Sequence, residues 1–345
     1  MNPATPNNAL DAVRDGIERF LFAETKRAAR VERLRMLAGG ASQESWGFDA
    51  AFGDGERLAL VMRRDMGGVL TLLTLPRDVE FAVLSAAYDA GVIVARPYFR
   101  PAQIAGKPAF FVAFVEGETV GRRIVADPAI AAMRSVLVRQ LAEALAAIHR
   151  LDYRGPALAR FVPPNDGSTP FGRELARLYA ELDSIEEAHP ALELVLRYLT
   201  LHAPPPGETV FLHGDFRMGN VIVGASGLRA VLDWEFAHAG DPHEELAWFC
   251  VRAWRFGNDA LEAGGIASRE EWLAAYEIAS GRRLDRERIA AYEIMGNVRW
   301  AIGALMQARR HLSGQETSIE LASLGRVAAE MESEALRMVE AAGAR

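Results

Sequence analysis

The segment His213-Gly214-Asp215-Phe216-Arg217-Met218-Gly219-Asn220, followed by Val231-Leu232-Asp233-Trp234-Glu235, constrains this chain more than any other. An aspartate is followed five positions later by an asparagine, and a second aspartate stands thirteen residues beyond that. Val210-Phe211-Leu212 is a short apolar strand entering the loop. Val221-Ile222-Val223 and Leu228-Arg229-Ala230-Val231-Leu232 read as two strands joined by the turn Gly224-Ala225-Ser226-Gly227. Such a hairpin returns Asp233 to the side of Asn220. A single Asp in a loop is usually a turn residue and a single Asn a cap. The ordered set is better explained by chemistry: one carboxylate beside a reacting hydroxyl, and a second carboxylate with an amide oxygen as hard ligands for Mg²⁺.

The pattern matches the template of phosphoryl-transfer folds, in which a catalytic Asp precedes a metal-binding Asn by five residues and a metal-binding Asp follows. With Gly240-Asp241-Pro242 and Glu245-Leu246-Ala247-Trp248 behind it, the segment resembles the aminoglycoside phosphotransferase family of the wider choline-kinase and protein-kinase-like superfamily. Within it, the chain most resembles the branch related to kinase-like domains fused to acyl-CoA dehydrogenases. Gly214, where protein kinases carry Arg, fits this family. The resemblance runs in order from about Leu34 to Trp254, with a looser helical tail. It implies an α+β, bilobal protein-kinase-like fold, with a β-rich N-lobe over 1–115 and a mostly helical C-lobe over 116–345. It also implies a small-molecule kinase using Mg²⁺ and ATP, with GTP as the alternative, and a small hydroxylated acceptor.

Composition agrees with a cytoplasmic enzyme. The 345 residues allow one large or two modest domains, and 50% hydrophobic content is ample for a core. The single cysteine, Cys250, excludes an intrachain disulfide framework and a multi-cysteine metal site, and lies in an apolar run typical of a core. A net charge of −7 argues against nucleic acid as the main partner. No apolar run is long enough for a membrane span, and the first residues lack the layout of a signal peptide. A monomer and a homodimer are both compatible with the sequence.

Towards the N-terminus, apolar residues at helical spacing predict an amphipathic helix over 9–30. A strand over 31–37, a Gly-rich loop and the alternating residues Trp46, Phe48, Ala50 and Phe52 come next. Gly53-Asp54-Gly55 then turns the chain into the strand 58–62. By the resemblance, Gly40 and Ser42 cover the phosphates. The third strand should end in the cation that grips them, but Val61-Met62-Arg63-Arg64-Asp65 contains no Lys. The acyl-CoA-dehydrogenase-linked branch commonly has Arg there, and an Arg fork suits phosphate. Alternation places Arg63 opposite Met62, with Arg64 as the alternative. Glu80 stands where the family has the carboxylate that orients this cation, on a helix beginning near Pro76 with Phe81, Leu84 and Tyr88 on one face. Strands are expected at 92–94 and 110–115, and the backbone from Val112 to Phe114 should meet the adenine before the hinge at 116–118.

In the helical part, Asp215 is the expected catalytic base, and Asn220 and Asp233 the Mg²⁺ ligands. His213 braces the loop, and His149 reads as structural. Arg217 lies within reach of the γ-phosphate or Asp215, or faces solvent. Asp241 caps the next helix or ties the metal loop down. The acceptor pocket is expected among 248–256, 272–276 and 292–300, where arginines and aromatics outnumber acids. That composition counts against an aminoglycoside acceptor. An antibiotic kinase of the aminoglycoside or macrolide type and a catalytically weak nucleotide-binding module remain the alternatives.

Overall fold

Alternation along the first strands decides how the N-terminal part is built. The computed structural model describes residues 6–37, 43–66 and 71–343. Helix α1 (Pro6–Thr25) precedes β1 (Ala29–Met36), β2 (Gln43–Phe52) and β3 (Arg57–Asp65), and α2 (Arg77–Asp89) precedes β4 (Pro97–Ile104) and β5 (Lys107–Ala113). The strands form an antiparallel sheet in the order β1-β2-β3-β5-β4. Trp46, Phe48, Ala50 and Phe52 all point to one face, where Val13, Ile17 and Leu21 of α1 pack on them with Leu60, Met62 and Phe111. Along β5 the opposite alternation sends Phe110 and Val112 to the other face, into the core that includes Val83, Leu84 and Ala87 of α2. One sheet therefore serves two cores.

Beyond β5 come helices α3 (Gly121–Ala126), α4 (Pro128–Ala132), α5 (Arg134–Ile148), α6 (Pro170–Asp183) and α7 (Pro190–Leu201). The short strands β6 (Val210–Leu212), β7 (Val221–Gly224), β8 (Gly227–Val231) and β9 (His238–Gly240) follow, then α8 (Pro242–Trp248), α9 (Arg269–Ser280), α10 (Arg286–Leu312) and α11 (Ile319–Gly343). β7 pairs with β8 as the expected hairpin, and β6 pairs with β9. The long helices α10 and α11 pack together behind α8. Backbone hydrogen bonds tie the two parts beside the site and pin the hinge segment to β7. Val231 N–H donates to the Ile93 carbonyl (2.9 Å), Leu75 N–H to the Glu235 carbonyl (2.8 Å), and Glu118 and Val223 exchange backbone hydrogen bonds.

Three expectations need correction. The first helix ends at Thr25 rather than residue 30, because Lys26 takes φ +60° and the chain turns directly into β1. Residues 92–94 are not a strand but a single bridge from Val94 to Val231, with Ile93 39% exposed. Tyr88 does not share the buried face of α2. That face is Val79, Glu80, Val83, Leu84 and Ala87.

Candidate active site

The loop after β6 is fixed from beneath by one carboxylate. Glu245, in the first turn of α8, accepts from the backbone N–H groups of His213 (3.0 Å) and Gly214 (2.6 Å). It also pairs with His149 Nε2 (3.0 Å), whose Nδ1 meets the Tyr276 hydroxyl (2.6 Å). Burial alone would raise the Glu245 pKa, but its donors outweigh this and hold it below the ordinary carboxylate value. Gly214 takes φ +86°, and a Cβ there would lie 2.0 Å from the Phe236 carbonyl oxygen. Only glycine fits. His213 is fully buried. Its Nδ1 accepts from the Asp215 N–H (3.2 Å), so its Nε2–H donates to the Leu232 carbonyl (2.8 Å), and burial lowers its pKa. A neutral ring satisfies both contacts, and it braces the loop against the end of the hairpin.

Asp215 is aimed by three side chains. Trp248 Nε1–H donates to Oδ1 (2.8 Å), Asn220 Nδ2 to Oδ2 (2.6 Å), and Arg217 Nε to both oxygens (3.1 and 3.2 Å). Asn220 Nδ2 also donates to the Asp215 carbonyl (3.0 Å), so the atom that Asn220 can offer a cation is its carboxamide oxygen. The Asn220 carbonyl accepts from Leu232 N–H (2.8 Å), which brings Asp233 next to it. Asp233 has φ +62°, a left-handed conformation that Asp and Asn tolerate better than other non-glycine residues. Burial would raise its pKa, yet the ion-paired Arg63 guanidinium overcomes this and keeps it below the ordinary value. An ionised carboxylate beside a carboxamide oxygen is the hard-oxygen donor set that Mg²⁺ takes, so the residues present fit that ion.

Arg63 reaches Asp233 from β3 of the sheet, while its Nε donates to Gln43 Oε1 (2.7 Å). Arg64 points to the other face, where it pairs with Glu44 and approaches the Ile104 carbonyl. Glu80 departs from expectation: its ion-pair partner is Arg77, one helical turn earlier, rather than Arg63. Gln43 Nε2 donates to Glu80 Oε2 (3.2 Å) and to Glu235 Oε2 (3.2 Å), and Arg77 also binds Glu235 (3.0 Å). Burial raises the Glu80 pKa to about 7, with Arg77 and Arg63 opposing the rise and the carboxylates of Glu235 and Asp233 adding to it. Val112 is buried at the end of β5, and Phe114 N–H closes on the Ala59 carbonyl (2.9 Å), with the Arg35 guanidinium 5.7 Å from its ring. Gly40 and Ser42 lie outside the described residues.

On the helical side of Asp215, guanidinium groups lie on indole rings. Arg217 sits 4.4 Å above Trp254, and Arg299 4.7 Å above Trp248 while donating to the Gly214 carbonyl (2.6 Å). Trp248, Trp254 and Trp300 form a continuous row with centroids 5.2 and 4.8 Å apart. The nearby acids are already matched: Glu244 with Arg299 and His238, Glu293 with Arg255 and Arg269. Asp241 caps α8 through His243 N–H (2.9 Å) and binds Arg288 (2.8 Å), so it is a scaffold residue. His238 and His243 spend their ring nitrogens on Phe236, Glu244, Asp241 and Asp285. Cys250 is buried, which pushes its thiol pKa up. The residues that sequence reasoning gave no role here are Gln43, Arg77, Glu235 and Glu245. Two left a signal, Glu235 beside the metal-site aspartate and Glu245 in the first turn after Asp241-Pro242.

A bilobal frame with an Asp, an Asn and a second Asp converging under a sheet-borne cation defines a kinase-like phosphotransferase. The model of the Phosphotransferase enzyme family matches residues 38–292, and the chain belongs to that family. Its fold is kinase-like. Among curated proteins it is similar to acyl-CoA dehydrogenase family member 10 of Mus musculus, at 27% identity over 241 residues, covering 64% of this chain and 22% of that protein. The chain therefore spans under a quarter of that relative's length. A solved structure from Ralstonia eutropha JMP134, assigned as an aminoglycoside phosphotransferase, superposes with TM-score 0.72 at 21% identity, covering 94% of this chain and 98% of that one. A thermostable variant of aminoglycoside phosphotransferase APH(4)-Ia in ternary complex with ADP and hygromycin B gives TM-score 0.61 at 17% identity, covering 94% and 98%. No helix of the described residues is long and apolar enough to cross a membrane.

Proposed function

We propose that this kinase moves the γ-phosphate of ATP, with GTP as the alternative donor, to a hydroxyl of a small molecule. The observation that carries the reading is Asp215, a carboxylate aimed by Trp248, Asn220 and Arg217 beside the Asn220 and Asp233 oxygens. Asp215 accepts a hydrogen bond from the acceptor hydroxyl, directs it at the phosphorus and takes its proton late, since alignment matters more than basicity in a loose transition state. Asn220 and Asp233 would hold Mg²⁺, which neutralises charge on the phosphates when bound. Arg63 grips the phosphates, Glu80 belongs to the cluster that keeps it in place, Gly40 and Ser42 cover the nucleotide, and the backbone from Val112 to Phe114 meets the adenine. In this reading the nucleotide lies between an N-lobe of residues 1–115 and a C-lobe of 116–345, in a cytoplasmic enzyme.

The acceptor follows from charge. The acids near Asp215 are matched by arginines, whereas Arg217, Arg299 and three indoles surround the approach. A polycation such as hygromycin B would meet cations there. A neutral or anionic hydroxyl compound with a flat or apolar portion suits the surface. The test is ADP release with ATP or GTP, Mg²⁺ and a panel of neutral, anionic and cationic hydroxylated metabolites. Release with an uncharged or acidic acceptor, lost in Asp215→Ala, supports the reading. Release only with aminoglycosides overturns the acceptor class. Nucleotide binding without release for any acceptor leaves the weak binding module.

A further inference from the structure

The buried cluster beneath Arg63 contains two arginines, three carboxylates and a single amide. Gln43 is 1% exposed, and both ends of its carboxamide are used. Its oxygen accepts from Arg63 Nε (2.7 Å), while its nitrogen donates to Glu80 (3.2 Å) and Glu235 (3.2 Å). Glu80 is held by Arg77 instead of contacting Arg63 directly. The geometry follows from the sheet. Ser45 of β2 registers opposite Arg63, so Gln43, two residues away, occupies the diagonal position on the same face. A carboxamide is the group that can accept from a cation on one side and donate to acids on the other. An apolar side chain there would orphan Arg63 Nε, and a carboxylate would add a fourth acid to two cations.

We propose that Gln43 is the positioning residue for Arg63, relaying the orienting influence of Glu80 and Glu235 through its carboxamide in place of a direct arginine–glutamate pair. The inference rests on the reading that Arg63 grips nucleotide phosphate. Arg63 Nε stays on Gln43 while Nη2 is directed at Asp233, beside which the phosphates lie in the proposed reading.

The experiment is an equilibrium titration of the full chain with a nonhydrolysable ATP analogue in Mg²⁺, with thermal unfolding of each variant recorded without nucleotide. Gln43→Met, close in size and without the amide, should weaken binding by roughly ten-fold or more, the loss of one hydrogen bond to a charged group. Gln43→Glu should weaken it further by crowding acids. The double variant Gln43→Glu/Glu80→Gln keeps the charge and reverses the polarity of one hydrogen bond. It should bind about five-fold more tightly than Gln43→Glu alone, within the range over which contacting residues couple. That recovery must appear in nucleotide affinity and not in Tm alone. Wild-type affinity in Gln43→Met, or a double variant no better than Gln43→Glu, overturns the relay while leaving the proposed function standing. If Gln43→Met does not fold, the comparison of Gln43→Glu with the double variant decides. If the wild-type chain binds no nucleotide, the proposed function falls and takes this inference with it.

Discussion

The two halves of the site are built in opposite ways. Around Asp215 the contacts are short in sequence: Arg217 is two residues away, Asn220 five and Trp248 thirty-three. Around Arg63 they are long: Asp233 is 170 residues away, while Gln43 reaches 192 residues to Glu235 and Arg77 reaches 158 to the same carboxylate. The first half is locked within the helical part, through Gly214, His213, the Glu245 carboxylate beneath them and the β7–β8 hairpin. The second exists only when the sheet, α2 and the segment after β8 are docked. The catalytic loop therefore behaves as a preformed unit, whereas the cation cluster senses how the two parts of the molecule meet.

The comparison breaks most decisively at the residue the halves share. Asp233→Asn keeps a residue suited to φ +62° but removes the charge that faces both Arg63 and the cation site. ATP turnover should be abolished while circular dichroism stays that of the wild type. A folded variant with near-normal ADP release would end the metal assignment. Asp215→Ala, confined to the local half, should reduce turnover by roughly 10²–10⁴-fold, the range for a general base, with nucleotide affinity largely kept. Loss of nucleotide binding with normal turnover at saturation would instead move Asp215 out of the chemistry.

What was legible follows the same division. That Asp215, Asn220 and Asp233 come together could be read because a strand, a loop and a hairpin place them by local rules. The strand alternation that set Arg63 opposite Met62 is likewise local, and in the structure Arg63 faces Asp233 while Arg64 pairs with Glu44. The capture of Glu80 by Arg77 could not be read, although the two are one turn apart. Whether a surface-spaced pair closes on itself or reaches across depends on which neighbours bury it, here Gln43 and Glu235. The end of α1 was missed because Lys26 adopts a left-handed conformation without being glycine, which leaves no mark in the residue type. Trp248 was expected in the acceptor pocket. Its indole is buried, but its N–H is spent on Asp215, and a donor's direction is set by packing.

A smaller effect separates the neighbouring arginines. Arg63→Ala should weaken binding of a nonhydrolysable ATP analogue by about 1.5–3 kcal/mol, the range for hydrogen bonds to charged groups. Arg64→Ala should leave that affinity nearly unchanged and instead lower Tm, because it strands Glu44 with Lys107 as its remaining cation. Titration calorimetry on the two variants checks this. The reverse order would place the phosphate grip on the wrong face of β3.

The last prediction is a pH dependence confined to the distant half. Burial raises the Glu80 pKa from the ordinary 4.5 to about 7, more than Arg77 and Arg63 can offset. Between about 4.5 and 7 the folded chain holds a proton at Glu80 that the unfolded chain has released. Stability falls with pH wherever the folded state binds more protons than the unfolded one. The contribution is therefore fully present below about 4.5 and is lost as pH rises through about 7. Glu80→Gln cannot titrate, so its stability relative to wild type should improve steadily across that window, measured as the difference between urea unfolding curves at a series of pH values. The effect concerns the cluster and not the loop, since His213 is kept neutral by a pKa pushed down and not up. A wild-type-to-variant difference that stays flat over the window would mean that Arg77 and Gln43 keep Glu80 ionised in the folded chain. The second half of the site would then be as firmly preset as the first.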